Sequence, residues 1–266
     1  MFAEERQERI FQIVNQRSSV RVSELSDELD ISEVTIRRDL DELQRQKRII
    51  RTHGGAMSTY SAGKGKTYSQ HAAREVDLKQ KIAKAAYDMI QDDETILLDN
   101  SSTVSELATL IASGTKKDLR IITNSLIIPQ LLAEATGCTV QVVGGEVNFK
   151  YQSMEGSAAC QILQDIRVDK CFIGINGVDE EFGFSTPRYA DADVKRNMLH
   201  SAHCSIVLAD HTKLGKTYLA RIGRPDYLIT DEMVAGFAFE NLAGTTVIFA
   251  NERIHGGVSR YEAANR

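Results

Sequence analysis

The sequence predicts an α/β protein in which a small helical unit precedes a mostly parallel, Rossmann-like α/β domain, and three observations predict it. Helices with apolar stripes fill the first fifty residues and are followed by a turn at Gly54-Gly55. From residue 95 onward, short apolar runs alternate with amphipathic segments. Those runs are apolar throughout, which is typical of parallel strands that are buried on both faces of a sheet.

The domain boundaries follow from the same patterns. The N-terminal unit is predicted to span 1–57 and the larger domain 75–266. Between them, a polar stretch with two glycines predicts a linker at 58–74. A chain of 266 residues is long enough for two such domains.

Composition and pattern exclude several classes of protein. No apolar run approaches the roughly 18 residues that a membrane span needs, and the charged N-terminus has no secretory signal, so a cytoplasmic protein without a membrane partner is expected. The cysteines form no C-x-x-C pair, so neither a metal site nor a cofactor is predicted, and they are expected to be buried thiols. These cysteines are Cys138, Cys160, Cys171 and Cys204.

Bulk charge does not favour a nucleic-acid partner. The net charge is −5, and residues 1–60 carry 10 Lys and Arg against 11 Asp and Glu. Only the stretch 37–51 is basic on balance. Any binding to DNA must therefore depend on where the charges are placed.

A helix-turn-helix is nevertheless predicted over about 20–39. A short helix ends at Leu29, Asp30 breaks it, and Ser32 is a good N-cap for a longer helix that runs to about Gln46. The buried stripe of that longer helix is Ile36, Leu40 and Leu43.

Three residues near the start of this helix lie off the stripe: Thr35, Arg37 and Arg38. The exposed N-terminal end of the second helix of such a motif enters the major groove of DNA. Arginine can bind guanine through two hydrogen bonds. Spacing alone also fits an ordinary three-helix unit whose arginines only contact solvent.

In the larger domain, the first strand is followed by a loop with three consecutive hydroxyl side chains. Asp99 ends the strand, and Ser101, Ser102 and Thr103 lead into a helix. Hydroxyls beside a helix N-terminus can hold a phosphate, because free backbone N–H groups and the helix dipole converge there. A plain N-cap with surface neighbours is the alternative.

Other predicted strand ends and helices add polar groups to this edge of the sheet. Ligands of open parallel sheets lie beyond the carboxyl ends of the strands. Each lysine alone also fits a solvated surface charge. The further candidates are Thr123, Asn124, Gly174, Lys195 and Lys213.

The N-terminal residues resemble the DeoR family of bacterial regulators. The characteristic pieces are the Thr-Ile-Arg-Arg-Asp-Leu run at 35–40 and the Gly-Gly-Ala at 54–56. The resemblance implies a winged helix-turn-helix with operator DNA as its partner, in which His53 and Gly54 mark the wing. The candidate DNA contacts are Ser32, Thr35, Arg37, Arg38, Arg51, His53 and Gly54.

The rest of the chain resembles the DeoR sensor domain, which is similar in fold to ribose-5-phosphate isomerase and the CoA transferases. The matching pieces lie at 99–103, 123–124, 194–196 and 210–213. The resemblance implies a repressor of carbohydrate-metabolism genes that a phosphorylated sugar releases from DNA. Palindromic operators imply a homodimer or homotetramer. The family commonly has Asp-x-Gly-Thr-Thr in the first loop, whereas this chain has Asp-Asn-Ser-Ser-Thr, so the identity of the sugar does not carry over.

An enzyme is the alternative function: a sugar-phosphate isomerase or deaminase with an appended DNA-binding unit. Asp179, Glu180 and Glu181 follow the fourth predicted strand and include possible general bases. None has a recognisable acid–base partner, so no catalytic residue is assigned and the chain is predicted not to be an enzyme. A transcriptional activator stays possible at this point, because operator position decides the sign of regulation.

Overall fold

The structure is a computed structural model that describes residues 3–17, 19–46, 48–52, 54–58, 67–254 and 257–262. The chain divides into two compact units, Met1–Gly65 and Lys66–Arg266. Within the described residues, none of the helices combines the length and the apolar character that crossing a membrane requires.

The N-terminal unit is a winged helix-turn-helix, as predicted. Its strands form a small antiparallel sheet of order β1-β3-β2, and β2 with β3 forms the wing after the third helix. The elements are α1 (Ala3–Arg17), β1 (Ser19–Arg21), α2 (Val22–Leu29), α3 (Glu33–Arg45), β2 (Ile49–Thr52) and β3 (Gly55–Ser58).

The turn between α2 and α3 is made by local backbone chemistry. Asp30 adopts a left-handed conformation with φ of 53°, which ends α2. Ser32 caps α3 by accepting a hydrogen bond from the backbone N–H of Thr35. Ile36, Leu40 and Leu43 are fully buried and pack in one core with residues of α1, α2 and β2. The predicted stripe is therefore the face that orients α3.

The larger unit contains an eight-stranded sheet of order β16-β15-β14-β12-β9-β4-β5-β6, in which every pair except β15–β16 is parallel. A second sheet of order β10-β11-β13 and a hairpin of β7 with β8 accompany it. The helices are α4 (Tyr68–Ala72), α5 (Val76–Asp88), α6 (Ser102–Ser113), α7 (Ile128–Leu131), α8 (Ser157–Gln164) and α9 (Tyr189–Ser201).

The strands of this unit are β4 (Thr95–Leu98), β5 (Leu119–Thr123), β6 (Cys138–Val142), β7 (Glu146–Asn148), β8 (Ser153–Glu155), β9 (Val168–Gly174), β10 (Gly177–Asp179), β11 (Gly183–Thr186), β12 (Ala202–Leu208), β13 (Ala220–Gly223), β14 (Tyr227–Thr230), β15 (Thr246–Ile254) and β16 (Gly257–Glu262).

Apolar residues cover both faces of the large sheet. Leu97 belongs to the core on the side of α8 and α9, whereas its neighbours Ile96 and Leu98 belong to the core beneath α5 and α6. Successive strand residues point to opposite faces, so a strand buried on both sides is a continuous apolar run. The prediction of a parallel α/β domain is confirmed for this reason.

Several local predictions were wrong. The linker predicted at 58–74 contains a helix, α4, whose N-cap Thr67 forms a capping box with Gln70. The apolar pattern of 126–135 also predicts a helix, but the structure has only the four-residue α7 there, which begins beside Pro129. The short strands β7, β8, β10, β11 and β13 were not predicted, because three or four residues are too few to show a period.

Candidate functional site

The exposed start of α3 carries the predicted DNA contacts. Thr35 is half-buried, and its hydroxyl lies 3.0 Å from that of Ser32. Arg37 is exposed and pairs with Glu33 at 2.9 Å one turn earlier. Arg38 is exposed and has no hydrogen bond or ion pair within the part of the chain that the structure describes. Both cations therefore remain accessible to phosphates or base edges.

Sequence reasoning missed Val34, which lies between these residues. Its side chain is 70% exposed, although valine usually packs inside a protein. An apolar side chain at the start of such a helix can contact the methyl group of thymine. The only sequence signal was an apolar residue off the buried stripe.

The wing is tied to α3 through Arg51. Its Nε atom pairs with Asp41 of α3 at 3.0 Å, and Nη1 donates to the carbonyl of Gly55 at 3.1 Å. Arg51 thus braces the wing in addition to any contact with DNA. Gly54 is exposed and its carbonyl accepts from Val22, whereas His53 lies outside the described residues.

Asp39, which sequence reasoning did not single out, fixes α3 against α1. It is 3% exposed and accepts hydrogen bonds from Arg6 Nε at 2.5 Å, Arg6 Nη2 at 3.2 Å and Gln7 Nε2 at 3.1 Å. The hydrogen bond to Asp39 raises the pKa of Arg6 above its usual value despite the opposing effect of burial. This buried ion pair explains why an acidic residue follows the two arginines.

In the larger unit, Asp99 organises the loop between β4 and α6. It is fully buried, and its two oxygens accept from the backbone N–H of Ser101 at 2.8 Å and of Gly174 at 2.9 Å. Lys195 of α9 donates to the same carboxylate. A side chain at Gly174 would place its Cβ 2.3 Å from the Cβ of Ser101, so only glycine allows this close approach.

Lys195 is itself buried, and its charge is matched inside the protein. The ammonium contacts Asp99 and lies 3.7 Å from Asp191. Burial alone lowers the pKa of Lys195, but the two carboxylates outweigh burial and hold that pKa above its usual value. Lys195 is therefore a protonated support for the loop and is less accessible than the surface counter-charge that the sequence suggested.

The hydroxyl groups of the loop have separate roles. Ser101 caps α6, because its Oγ accepts from the backbone N–H of Val104 at 3.2 Å. Ser102 and Thr103 occupy the first turn, are 9% and 6% exposed, and have no side-chain hydrogen-bond partner among the described residues. These two hydroxyls remain available to an oxyanion at the positive end of the helix dipole.

Asn124, which follows β5, contacts the β7–β8 hairpin, whereas Thr123, the last residue of β5, hydrogen-bonds within its own turn. Thr123 Oγ1 accepts from the N–H of Ser125 at 3.0 Å, and Asn124 exchanges hydrogen bonds with the backbone of Met154. The Oδ1 atom of Asn124 is buried with no hydrogen-bond partner in the described residues. The hairpin also meets the first loop, where Asn100 Nδ2 donates to the carbonyl of Tyr151 at 3.0 Å.

Lys213 lies on a single 3-10 turn, His211–Lys213, after β12. Its ammonium is 3.4 Å from Asp210, which is 1% exposed. Burial raises the pKa of Asp210, but Lys213 and the hydrogen bonds from Thr212 outweigh burial and keep that pKa below its usual value. Lys213 is partly exposed and thus accessible to an anion.

Lys79 of α5 is a second cation near Lys213 that sequence reasoning missed. It is 4% exposed and donates to the carbonyls of His71 and Arg74, which close the end of α4. Burial lowers the pKa of Lys79, and the neighbouring charge of Lys213 lowers it further. A lysine on an amphipathic helix gave no sign of burial.

The predicted effector residues therefore gather along the carboxyl edge of the sheet. Direct contacts join Asp99, Ser101, Gly174 and Lys195, while Asn124 contacts the β7–β8 hairpin and Thr123 hydrogen-bonds to Ser125 in its own turn. The candidate general bases act differently. Asp179 accepts from two backbone N–H groups of its own turn, and Glu180 accepts from that of Ala238.

One group of side chains has metal-binding geometry among the described residues: His211, Asp231 and Glu232, whose ligand atoms lie within 4.8 Å of one another. His211 Nδ1 is already 2.6 Å from the buried Asp231 carboxylate. Burial lowers the pKa of His211, but the hydrogen bond to Asp231 and nearby carboxylates hold it above its usual value. The imidazole and carboxylate thus satisfy each other without an ion.

Comparisons with known proteins agree with this architecture. Residues 6–62 match the DeoR-like helix-turn-helix domain, and residues 74–232 match the DeoR C-terminal sensor domain. The HTH-type transcriptional repressor GlcR of Bacillus subtilis is 33% identical over 88% of this chain and 90% of its own length. The transcriptional repressor AccR of Agrobacterium fabrum is 32% identical over 86% of this chain and 89% of its own.

Among solved structures, ribose 5-phosphate isomerase A of Methanocaldococcus jannaschii matches with a TM-score of 0.37 and 19% identity over 52% of this chain and 54% of that one. GlcR and AccR are both named as transcriptional repressors, which agrees with the prediction that this chain is not an enzyme. With both of its domains matched, and in the order found here, the chain belongs to the DeoR family of DNA-binding transcription regulators.

Proposed function

We propose that this regulator represses carbohydrate-metabolism genes in the cytoplasm and that a phosphorylated sugar relieves the repression. The observation that supports a phosphorylated effector is the pair of hydroxyls of Ser102 and Thr103 at the start of α6, which have no hydrogen-bond partner among the described residues. Hydroxyls, free N–H groups and the helix dipole together suit a phosphate, and Lys213 adds an accessible cation at the same edge of the sheet. The names of the two relatives support repression.

In this proposal the start of α3 enters the major groove of a double-stranded operator. Arg37 and Arg38 contact base edges and phosphates, Ser32 and Thr35 contact the backbone, and the wing around Gly54 lies against the adjacent groove. Two-fold symmetric operators would require a homodimer or homotetramer. Light scattering on the purified protein measures that oligomeric state directly.

Relief of repression requires that the effector bind the DNA-free state better than the DNA-bound state. A tenfold loss of operator affinity corresponds to about 1.4 kcal/mol of differential binding. Contacts between α4 and the effector loop offer a path for this coupling. Tyr68 donates to Ser105 Oγ at 2.9 Å, and Ser105 Oγ donates to the carbonyl of Ser101 at 3.1 Å. The chain continues from α4 through residues 59–66 to the DNA-binding unit.

The test begins with selection of DNA sequences that the protein binds in vitro. Fluorescence anisotropy then measures operator affinity with and without pentose and hexose monophosphates at one fixed salt concentration, because phosphate contacts make affinity depend steeply on salt. We expect at least one sugar monophosphate to weaken operator binding tenfold or more. An operator affinity unchanged by every sugar phosphate would contradict the proposed effector.

The matched variant for the effector site is Ser102→Ala with Thr103→Val, which removes both free hydroxyls and conserves most of the packing. We expect operator affinity to be retained and the response to the effector to be lost. Ser113→Ala, at the exposed end of the same helix, is the control and should leave the response intact.

A further inference from the structure

A cluster of three side chains beside the effector loop has no role in the function proposed above. Arg188, just before α9, forms a two-pronged ion pair with Glu155 of β8, with Nη1–Oε2 and Nη2–Oε1 distances of 2.8 and 2.5 Å. The guanidinium also stacks on the ring of Tyr151, with its central carbon 4.0 Å from the ring centroid. We call these three residues the Arg188 cluster.

The Arg188 cluster is linked to the effector loop by one hydrogen bond and by the course of α9. The carbonyl of Tyr151 accepts from the side chain of Asn100, which lies inside the loop between β4 and α6. Arg188 also precedes Asp191 by one turn, and Asp191 contacts Lys195, the partner of Asp99. The cluster is therefore connected to the same residues that position the loop between β4 and α6.

In the ion pair, the acceptor oxygens of Glu155 are all hydrogen-bonded, whereas Arg188 keeps N–H donors without an acceptor. Glu155 is 6% exposed and accepts from Arg188, from Ser153 Oγ at 2.6 Å and from Asn148 Nδ2 at 3.4 Å. Burial raises the pKa of Glu155, but these donors outweigh burial and hold that pKa below its usual value. Its carboxylate is thus ionised and fully used.

Arg188 has more N–H donors than Glu155 accepts from. A guanidinium carries five N–H groups, and Glu155 takes one from each Nη atom. The remaining three have no acceptor among the described residues, and the side chain is 20% exposed. Stacking on Tyr151 fixes their direction. The pair as a whole is electrically neutral, because Glu155 cancels the charge of Arg188.

We propose that Arg188 determines effector specificity by donating hydrogen bonds to hydroxyl oxygens of the sugar, and that Glu155, by cancelling its charge, makes the site select sugar monophosphates over bisphosphates. The inference rests on the function proposed above. Donors that are fixed in direction and belong to a neutral ion pair suit the uncharged hydroxyl oxygens of a sugar. A second phosphate would instead need a cation whose charge is not compensated. The phosphate itself is held at the other end, by Ser102, Thr103 and Lys213.

The experiment uses titration calorimetry on the full chain with three probes: inorganic phosphate, the sugar monophosphate that binds best, and the corresponding bisphosphate. For Arg188→Met, we expect affinity for the monophosphate to fall about tenfold or more, with affinity for inorganic phosphate within twofold of the wild type. Arg188→Lys keeps the charge without the fork and should be intermediate. Arg196→Met, which removes a half-buried arginine on the same helix, should change neither affinity.

Glu155→Gln tests the charge argument separately, because it leaves Arg188 with an uncompensated charge. We expect the preference for monophosphate over bisphosphate to narrow about tenfold. An equal loss of phosphate and sugar phosphate affinity in Arg188→Met, or no loss, would overturn the inference while the proposed function stands. If the wild type bound no sugar phosphate, both would fall. If Glu155→Gln does not fold, the wild-type affinities test the charge argument, and equal affinity for the monophosphate and the bisphosphate would overturn it.

Discussion

Replacing Lys195 by methionine tests whether the buried charge network shapes the effector site. The substitution removes the ammonium and leaves Asp99, which is fully buried, with only two backbone N–H donors. Asp191 loses the same partner. Removing one member of a buried ion pair costs about 3–5 kcal/mol, because the remaining charge cannot regain its hydration.

For a domain of this size, such a loss lowers the melting temperature by about 6–20 °C. Differential scanning calorimetry of the whole chain measures the shift. Arg196→Met is the matched control: its ion pair with Asp193 is exposed, so a change below about 1 kcal/mol is expected. The double variant Asp99→Asn with Lys195→Met should cost less than the sum of the two single variants, since neither charge is then left unpaired.

The same variant has a functional readout. Below its melting temperature, Lys195→Met should still bind operator DNA, because α3 belongs to the other unit. Its response to the effector should be lost, because the Asp99 carboxylate that positions Ser101 and Gly174 is no longer balanced. A melting temperature equal to that of Arg196→Met, or additive single and double variants, would refute the argument that this network is a coupled buried unit.

Three further predictions concern other parts of the chain. Arg38→Ala should weaken operator binding about 10–100-fold and leave the melting temperature unchanged, since the side chain is exposed. Arg45→Ala, at the far end of α3, is the control and should change operator affinity much less. Equal operator affinities of the two variants in anisotropy titrations would contradict this prediction. Tyr68→Phe should leave effector affinity nearly unchanged and reduce the effect of the effector on operator affinity; an undiminished effect would exclude α4 as the coupling path. His211→Gln should destabilise the protein most below pH 6.5. The hydrogen bond to Asp231 raises the pKa of His211 in the folded state. The stabilisation by protonated His211 is therefore complete below the pKa of the unfolded state and is lost as the pH rises through the pKa of the folded state. Urea denaturation at pH 5.5 and about pH 8.5 measures the difference, and a larger loss at the higher pH would contradict the sign.

Much of the architecture was determined by local pattern. The stripe Ile36, Leu40 and Leu43 oriented α3, because a helix can bury only one face against its neighbours. The apolar runs after residue 95 predicted buried parallel strands, because burial on both faces makes a strand such as β4 a nearly continuous apolar run. The three hydroxyl residues after Asp99 predicted the candidate effector loop for an equally local reason, because the N-terminus of a helix needs capping groups.

What the tertiary structure decided is how distant residues are paired. Lys195 meets Asp99 across 96 positions of sequence, and nothing in the local pattern of α9 shows that this lysine is buried whereas the next residue, Arg196, is not. Arg188 and Glu155 are likewise ordinary charged residues until the β7–β8 hairpin brings them together. Sequence determines periodic burial because period is a local property; the partners of a buried charge depend on chain topology, which no window of sequence contains.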